Sequence, residues 1–389
     1  MPDVSRRSFF AGLLGASISA SQLPLVISGC SSASTATAPD PAQGWYIDGL
    51  SFLPADLNDI RASKIDAFIC DISAIEQVEQ ADGTVNYRRT YRACMESIRA
   101  ARARVAAHPD LLRLALAGAD VRLARKKDAQ TAVFFQIQGA DCVEKSLSQV
   151  DEFYLEGLRV LQLTHHYGNV YAGGALDSDD RGGVNLPLSA RGYELIEKLN
   201  QRGILIDLSH ASARSAQDAI AASSQPVVLS HGAARAIVNH ARCSPDNVIR
   251  AIADGGGVFG VFMMSFWLTT DPEPQTRHYV EQLRHVANVG GIDAVAIAND
   301  YPLRGQENLL RLGNDNSQGI QEYLPWWQSL SERNLLGFDR QPTHVVIPEL
   351  NNLNRMTRIH DAILGAGFNA SEADKVMGGN WLRVLEQVV

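Results

Sequence analysis

The chain has 389 residues, carries 35 Lys and Arg against 43 Asp and Glu for a formal net charge of −8, and is 46% hydrophobic. That length and apolar content support a sizeable core, and the acidic balance argues against nucleic acid as a partner. Five cysteines without a CxxC spacing indicate neither a zinc ribbon nor a dithiol redox motif.

At the start of the chain, Ser5-Arg6-Arg7-Ser8-Phe9-Phe10 precedes a moderately apolar stretch that ends in Ile27-Ser28-Gly29-Cys30. A paired basic segment, an apolar middle and small residues before a cysteine read as a twin-arginine signal over 1–29 with a lipoprotein-type processing box. The expectation is export to the periplasm or cell surface, with a lipidated Cys30 anchoring the protein to a bacterial membrane. Residues 30–44, rich in Ser, Ala, Thr and Pro, read as a flexible tether, which leaves 45–389 as the folded domain. No second segment is long and apolar enough to span a bilayer. In an exported protein, disulfides among Cys70, Cys94, Cys142 and Cys243 are permitted but not demanded.

Eight short apolar runs, most of them ending in a polar residue, follow in order: Tyr46–Phe52, Ala67–Ser73, Ala132–Gly139, Val160–His166, Ile204–His210, Val227–His231, Gly257–Met263 and Ala294–Asp300. Helical patterns lie between them, such as Tyr87–Ala107 and Leu188–Gln201, the latter opened by Ser189 and closed before Gly203. This alternation predicts a single-domain α/β fold, a (β/α)8 TIM-type barrel. A doubly wound open sheet fits less well, because no GxGxxG follows the first strand. Leu303–Glu349 breaks the rhythm and carries Tyr323-Leu-Pro-Trp-Trp327; it reads either as a lid over the barrel mouth or as a packing insertion. Ser371–Val389 reads as a closing amphipathic helix.

The runs Gly203–His210 and Pro226–His231 both end in Ser-His. A lone histidine is most often a satisfied loop residue, but two at consecutive strand ends of a barrel can share one metal ion. His165, His166 and Asp300 fall at other strand ends, with Arg242 eleven residues beyond His231. These residue types suit metal-assisted hydrolysis: imidazoles hold a divalent ion, a carboxylate moves a proton and a guanidinium fixes an anionic substrate end. Each also has a structural alternative: Asp300 could cap a turn, His165 could be a packed core histidine, and Arg242 a surface charge near Asp246.

Taken together, Ile47-Asp48-Gly49, Leu163-Thr164-His165, Ile206-Asp207-Leu208-Ser209-His210, Leu229-Ser230-His231, Arg242 followed by Pro245-Asp246, Asn299-Asp300 and Gly378-Gly379-Asn380 resemble the membrane dipeptidase (renal dipeptidase) family of amidohydrolase-type metal-dependent barrels. The resemblance covers nearly the whole mature chain. It implies that His210 and His231 bind one of the family's paired zinc ions. His165 would contact substrate, Arg242 would bind the substrate carboxylate, and Asp300 would transfer the proton.

The other metal position departs from the family pattern. Where the family's first strand carries Asp-Gly-His-Asn-Asp, with its His and second Asp as ligands, this chain reads Asp48-Gly49-Leu50-Ser51-Phe52. The family's bridging glutamate falls on Gln138, a neutral and weaker ligand. All three losses belong to one metal position or to the bridge. The expectation is therefore one zinc ion on His210, His231 and Gln138, with the second site lost and Asp71 as its only substitute ligand. The expected activity is cleavage of a dipeptide or similar small amide with a free carboxylate. The alternatives are an inactive homologue that binds a small peptide or metabolite, and a different metal-assisted reaction such as a lyase or cyclisation step.

Overall fold

Eight parallel strands form the centre of the molecule: β1 (Ile47–Ser51), β2 (Ala67–Asp71), β3 (Thr131–Gln138), β4 (Leu158–Gln162), β5 (Leu205–Asp207), β6 (Val228–Gly232), β7 (Val258–Val261) and β8 (Val295–Ile297). All eight fall on the apolar runs expected from sequence. Each pairs in parallel with its sequence neighbour, from β1 through β8. The computed structural model describes residues 44–79, 85–128, 130–143, 146–177, 183–332, 338 and 340–389. The expected export signal, Cys30 and all of the tether except Gly44 lie outside the described residues.

Between β8 and β1 the barrel closes through a side chain. The Asp48 carboxylate accepts the Asn299 backbone N–H at 2.7 Å and its side-chain amide, while the Asp300 N–H reaches Leu50 O at 2.9 Å. Burial pushes the Asp48 carboxyl up to about 7, against the opposing pull of these hydrogen bonds and of Arg355.

Alternate strand positions face the barrel interior. Ala67, Ile69, Ala132, Phe134, Val160, Leu205, Val228, Val258 and Ala296 fill it from below in one buried cluster with Trp381. One step toward the carboxyl ends the same faces carry Asp71, Gln136, Gln138, Gln162, Asp207 and Ser230. The interior thus changes from apolar floor to polar mouth within two or three residues of each strand. A second, larger cluster joins the outer strand faces to the helices. Cys70, Cys94, Cys142 and Cys243 are free and buried.

At the floor, the Trp381 indole N–H donates to Ile297 O at 2.8 Å, and a Cβ on Gly49 would lie 2.3 Å from the Trp381 ring and 2.8 Å from Ser230 O. Gly49→Ala therefore overpacks the barrel. A loss of about 1–3 kcal/mol of stability is expected, read as a lower denaturant midpoint at unchanged slope.

Three departures from the sequence expectations have local causes. The helix expected over Tyr87–Ala107 begins at Tyr91, because Thr90 caps it by accepting the Ala93 N–H, and Val85–Arg88 pairs antiparallel with Glu76–Glu79. A short strand, Leu112–Leu114, pairs in parallel with Thr131–Val133 at the amino-terminal end of β3. The closing helix is broken into Ala370–Asp374, a π turn over Lys375–Gly379, and Asn380–Val388. At the break a Cβ on Gly378 would come 2.5 Å from Trp45 O. The helix Ala190–Arg202 does follow its signals, with Ser189 capping Gly192 N and Gly203 in the left-handed conformation.

Candidate active site

Gln136 on β3 donates to Asp207 on β5 at 2.6 Å. These strands are not neighbours, so the bond crosses the barrel interior. Asp207 also accepts from Ser209 N (2.9 Å), Ser209 Oγ (2.7 Å), Ser230 N (2.8 Å) and Ser230 Oγ (2.6 Å). A buried carboxylate with this many donors is fully satisfied and holds two strand ends in fixed register.

Its hydrogen bonds set the state of a histidine. The single proton of the Ser230 hydroxyl goes to Asp207, so toward His231 Nδ1, 2.8 Å away, Ser230 Oγ acts as acceptor. His231 thus carries its proton on Nδ1 and presents a lone pair at Nε2. That Nε2 faces His210 Nε2 at 2.8 Å. Two imidazole nitrogens at this distance need a proton or a metal cation between them, and the donor chemistry fits a divalent ion. Losing the Ser230 hydroxyl frees the His231 tautomer. We expect Ser230→Ala to weaken metal affinity about ten- to hundredfold, measured by competition with a chelator, with Ser230→Thr retaining it.

The other edge of His210 meets His166, Nδ1 to Nδ1 at 3.0 Å, and His165 stacks on the His210 ring at 4.4 Å between centroids. His165, His166 and His210 each bring a nitrogen within 4.8 Å of the others, a grouping that could itself hold an ion. Burial holds the imidazoles of His165, His166, His210 and His231 below their ordinary range, with Arg242 adding to the effect in each; His166 falls to about 3. All four are neutral at pH 7, the form that ligates metal.

Arg242 is buried, and its Nη2 donates to His231 O at 3.1 Å. Burial lowers it to about 10, opposed chiefly by Asp300. Asp300 lies beyond β8 with φ of 53°, as His210 lies beyond β5 with φ of 64°. Such left-handed conformations of non-glycine residues are sparsely populated and concentrate at functional sites. Burial raises the Asp300 carboxyl to about 7, with Arg242 as the counterweight.

His165, His210, His231, Arg242 and Asp300 thus gather at one end of the barrel. Gln138 stands at the end of β3 with its side-chain amide nitrogen donating to Asp71 Oδ2 at 2.8 Å, which leaves only its carbonyl oxygen for a metal. Leu50 is fully buried. Within Leu303–Glu349, Trp326 approaches His166 at 6.2 Å and Trp327 approaches His240 at 6.0 Å between ring centroids, so the segment borders the mouth.

The match to the membrane dipeptidase (peptidase family M19) model runs over residues 48–315. The chain belongs to this family. Among curated relatives of this membrane dipeptidase family member, the dipeptidase tcpJ of Claviceps purpurea is 27% identical over 266 residues, covering 67% of this chain and 52% of the relative. The chain therefore spans about half the length of that protein. An amidohydrolase from Pseudomonas aeruginosa has the same fold, with TM-score 0.71, 24% identity and coverage of 89% of this chain and 96% of that one. A metallopeptidase from Rhodobacter sphaeroides, solved with a phosphinate mimic of the dipeptide L-Ala-D-Ala, gives TM-score 0.67 at 16% identity, with 89% and 99% covered.

The sequence placed His166 at a strand end and Asp207, Ser209 and Ser230 within motifs, but gave none of the four a role of its own. The repeated Ser-His was the available signal for the serines, since an identical residue before each histidine at consecutive strand ends places both hydroxyls on one interior face. His166 stands next to His165 in the chain, and only the fold turns it onto the free edge of His210.

Proposed function

We propose that this dipeptidase family member is a metal-dependent hydrolase of dipeptides or similar small amides with a free carboxylate, with one zinc ion held by His210 and His231. The observation that carries the reading is the His210–His231 nitrogen pair, with one lone pair fixed by the Asp207–Ser230 relay. The Gln138 carbonyl is available as a further, weaker ligand.

When bound, the ion supplies Lewis acidity to a scissile carbonyl and acidifies water. The chain's own residues do the rest. Arg242 presents a buried cation to the substrate carboxylate, in a setting where an ion pair is little screened. His165, partly buried on the His210 ring, is placed to donate to a developing oxyanion. Asp300 accepts a proton from the attacking water and returns it to the leaving amine. Leu50 and Phe52 offer no ligand atom at the family's second position, so the charge of that ion and of its carboxylates is lost together.

Elemental analysis of residues 45–389 after dialysis against trace zinc tests this reading, with about one ion per chain expected. Dipeptide kcat/KM should fall steeply on Arg242→Ala while remaining measurable. The replaced ligands also favour a second reading, a binding protein built on the same barrel. No bound ion, together with a ligand-induced thermal shift and no turnover, would establish it.

Export and membrane attachment through Cys30 belong to the same proposal. No described helix is long and apolar enough to cross a membrane. Cys30→Ser should release the protein from the membrane fraction into the soluble periplasm.

A further inference from the structure

We propose that His240 and Trp267 bind the substrate carboxylate together with Arg242, so that three N–H groups from three side chains select a free acid over a neutral end. The inference rests on the hydrolase reading above and extends it to two residues that no motif marks.

His240 lies in the loop that follows β6, and Trp267 in the short helix Ser265–Leu268 beyond β7. Both border the carboxyl ends of the strands. Arg242, His240 and Trp267 are 2%, 4% and 2% exposed. The His240 Nδ1 accepts the Arg242 backbone N–H at 2.9 Å. A neutral imidazole that accepts at Nδ1 carries its proton on Nε2, and burial keeps His240 neutral. That Nε2 has no hydrogen-bond partner, nor does Arg242 Nε or Trp267 Nε1.

The three side chains that carry these groups are neighbours. The His240 and Trp267 ring centroids are 5.3 Å apart, and the Arg242 guanidinium carbon is 5.7 Å from the Trp267 ring. Other buried tryptophans show that the vacancy is local: Trp327 Nε1 donates to Phe338 O at 3.0 Å and Trp381 Nε1 to Ile297 O at 2.8 Å. Buried donors left unmatched are costly, and three in one place, all donors with no acceptor among them, specify a ligand that only accepts.

A carboxylate is such a ligand, with two oxygens and about four acceptor positions. Phe262, Trp327 and Phe338 surround the donors with apolar rings. In that dry setting a terminal amide would set its own N–H groups against those of the protein. A site built to hydrogen-bond one end group discriminates strongly against an analogue that cannot complete the bonds.

The test is calorimetric titration of the zinc-loaded protein with a phosphinate dipeptide mimic and with its C-terminal amide. Two variants remove one donor each and keep the rest: Trp267→Phe retains a ring, and His240→Asn retains an acceptor for the Arg242 N–H. Wild type is expected to prefer the acid by at least a hundredfold. Each variant should lose about tenfold of that preference through weaker acid binding, with amide binding unchanged and zinc content unchanged. An unaltered acid-to-amide ratio in both variants overturns the role of His240 and Trp267 and leaves the hydrolase reading standing. Failure of the acid to bind wild type overturns both.

Discussion

His231→Ala is expected to take bound zinc from about one ion per chain to none, and dipeptide hydrolysis with it, because a two-imidazole site cannot lose half its nitrogens. The effect should exceed the ten- to hundredfold expected of Ser230→Ala, which disturbs only the partner that orients the ring. Elemental analysis reads the first outcome and chelator competition the second. His210→Ala should match His231→Ala if their two Nε2 atoms would together hold the ion. Should His231→Ala retain its ion while His210→Ala and His166→Ala lose theirs, the ion belongs instead on the other edge of His210, in the group formed with His165 and His166. The three variants together locate the metal without reference to activity.

The barrel was readable because short buried runs alternate with helical patterns eight times along the chain, and the repetition decides what each run alone leaves open. The hairpin Glu76–Glu79 with Val85–Arg88 carries too few apolar residues to announce itself, and Leu112–Leu114 is too short to form a periodic signal. His210 and His231 were visible through the repeated Ser-His. Asp207 was not, since a buried aspartate at the end of a strand looks the same in sequence whether it caps a turn or accepts five hydrogen bonds, one of them from across the interior. His240 stands in the loop after β6 and Trp267 in the short helix after β7, far apart in the chain, and only the fold shows that their N–H groups and that of Arg242 share the lack of a partner. The hydrogen bond from the Gln138 amide nitrogen to Asp71, which joins two residues 67 apart in the chain, has no signal in the sequence.

Asp300→Asn is expected to lower kcat about 10²–10⁴-fold while leaving the ion in place, the usual worth of a positioned general base. The substitution is unusually clean here. Asp300 adopts φ of 53°, a region that asparagine enters nearly as readily as aspartate, so the backbone is not forced to move. The pH profile gives the sharper test. Burial raises the Asp300 carboxyl to about 7, and the cation of Arg242 opposes that rise. Below this value the carboxyl is protonated and cannot accept; above it the carboxylate can. Wild-type kcat/KM should therefore climb with pH through an acidic limb set by this carboxyl and then level off, with bound metal charge drawing the limb below 7. Asp300→Asn should abolish the limb. Arg242→Met should move it to higher pH, because the charge that favours the ionised form is gone and the desolvation cost remains. A limb that stays in place in both variants would assign the proton transfer to another group.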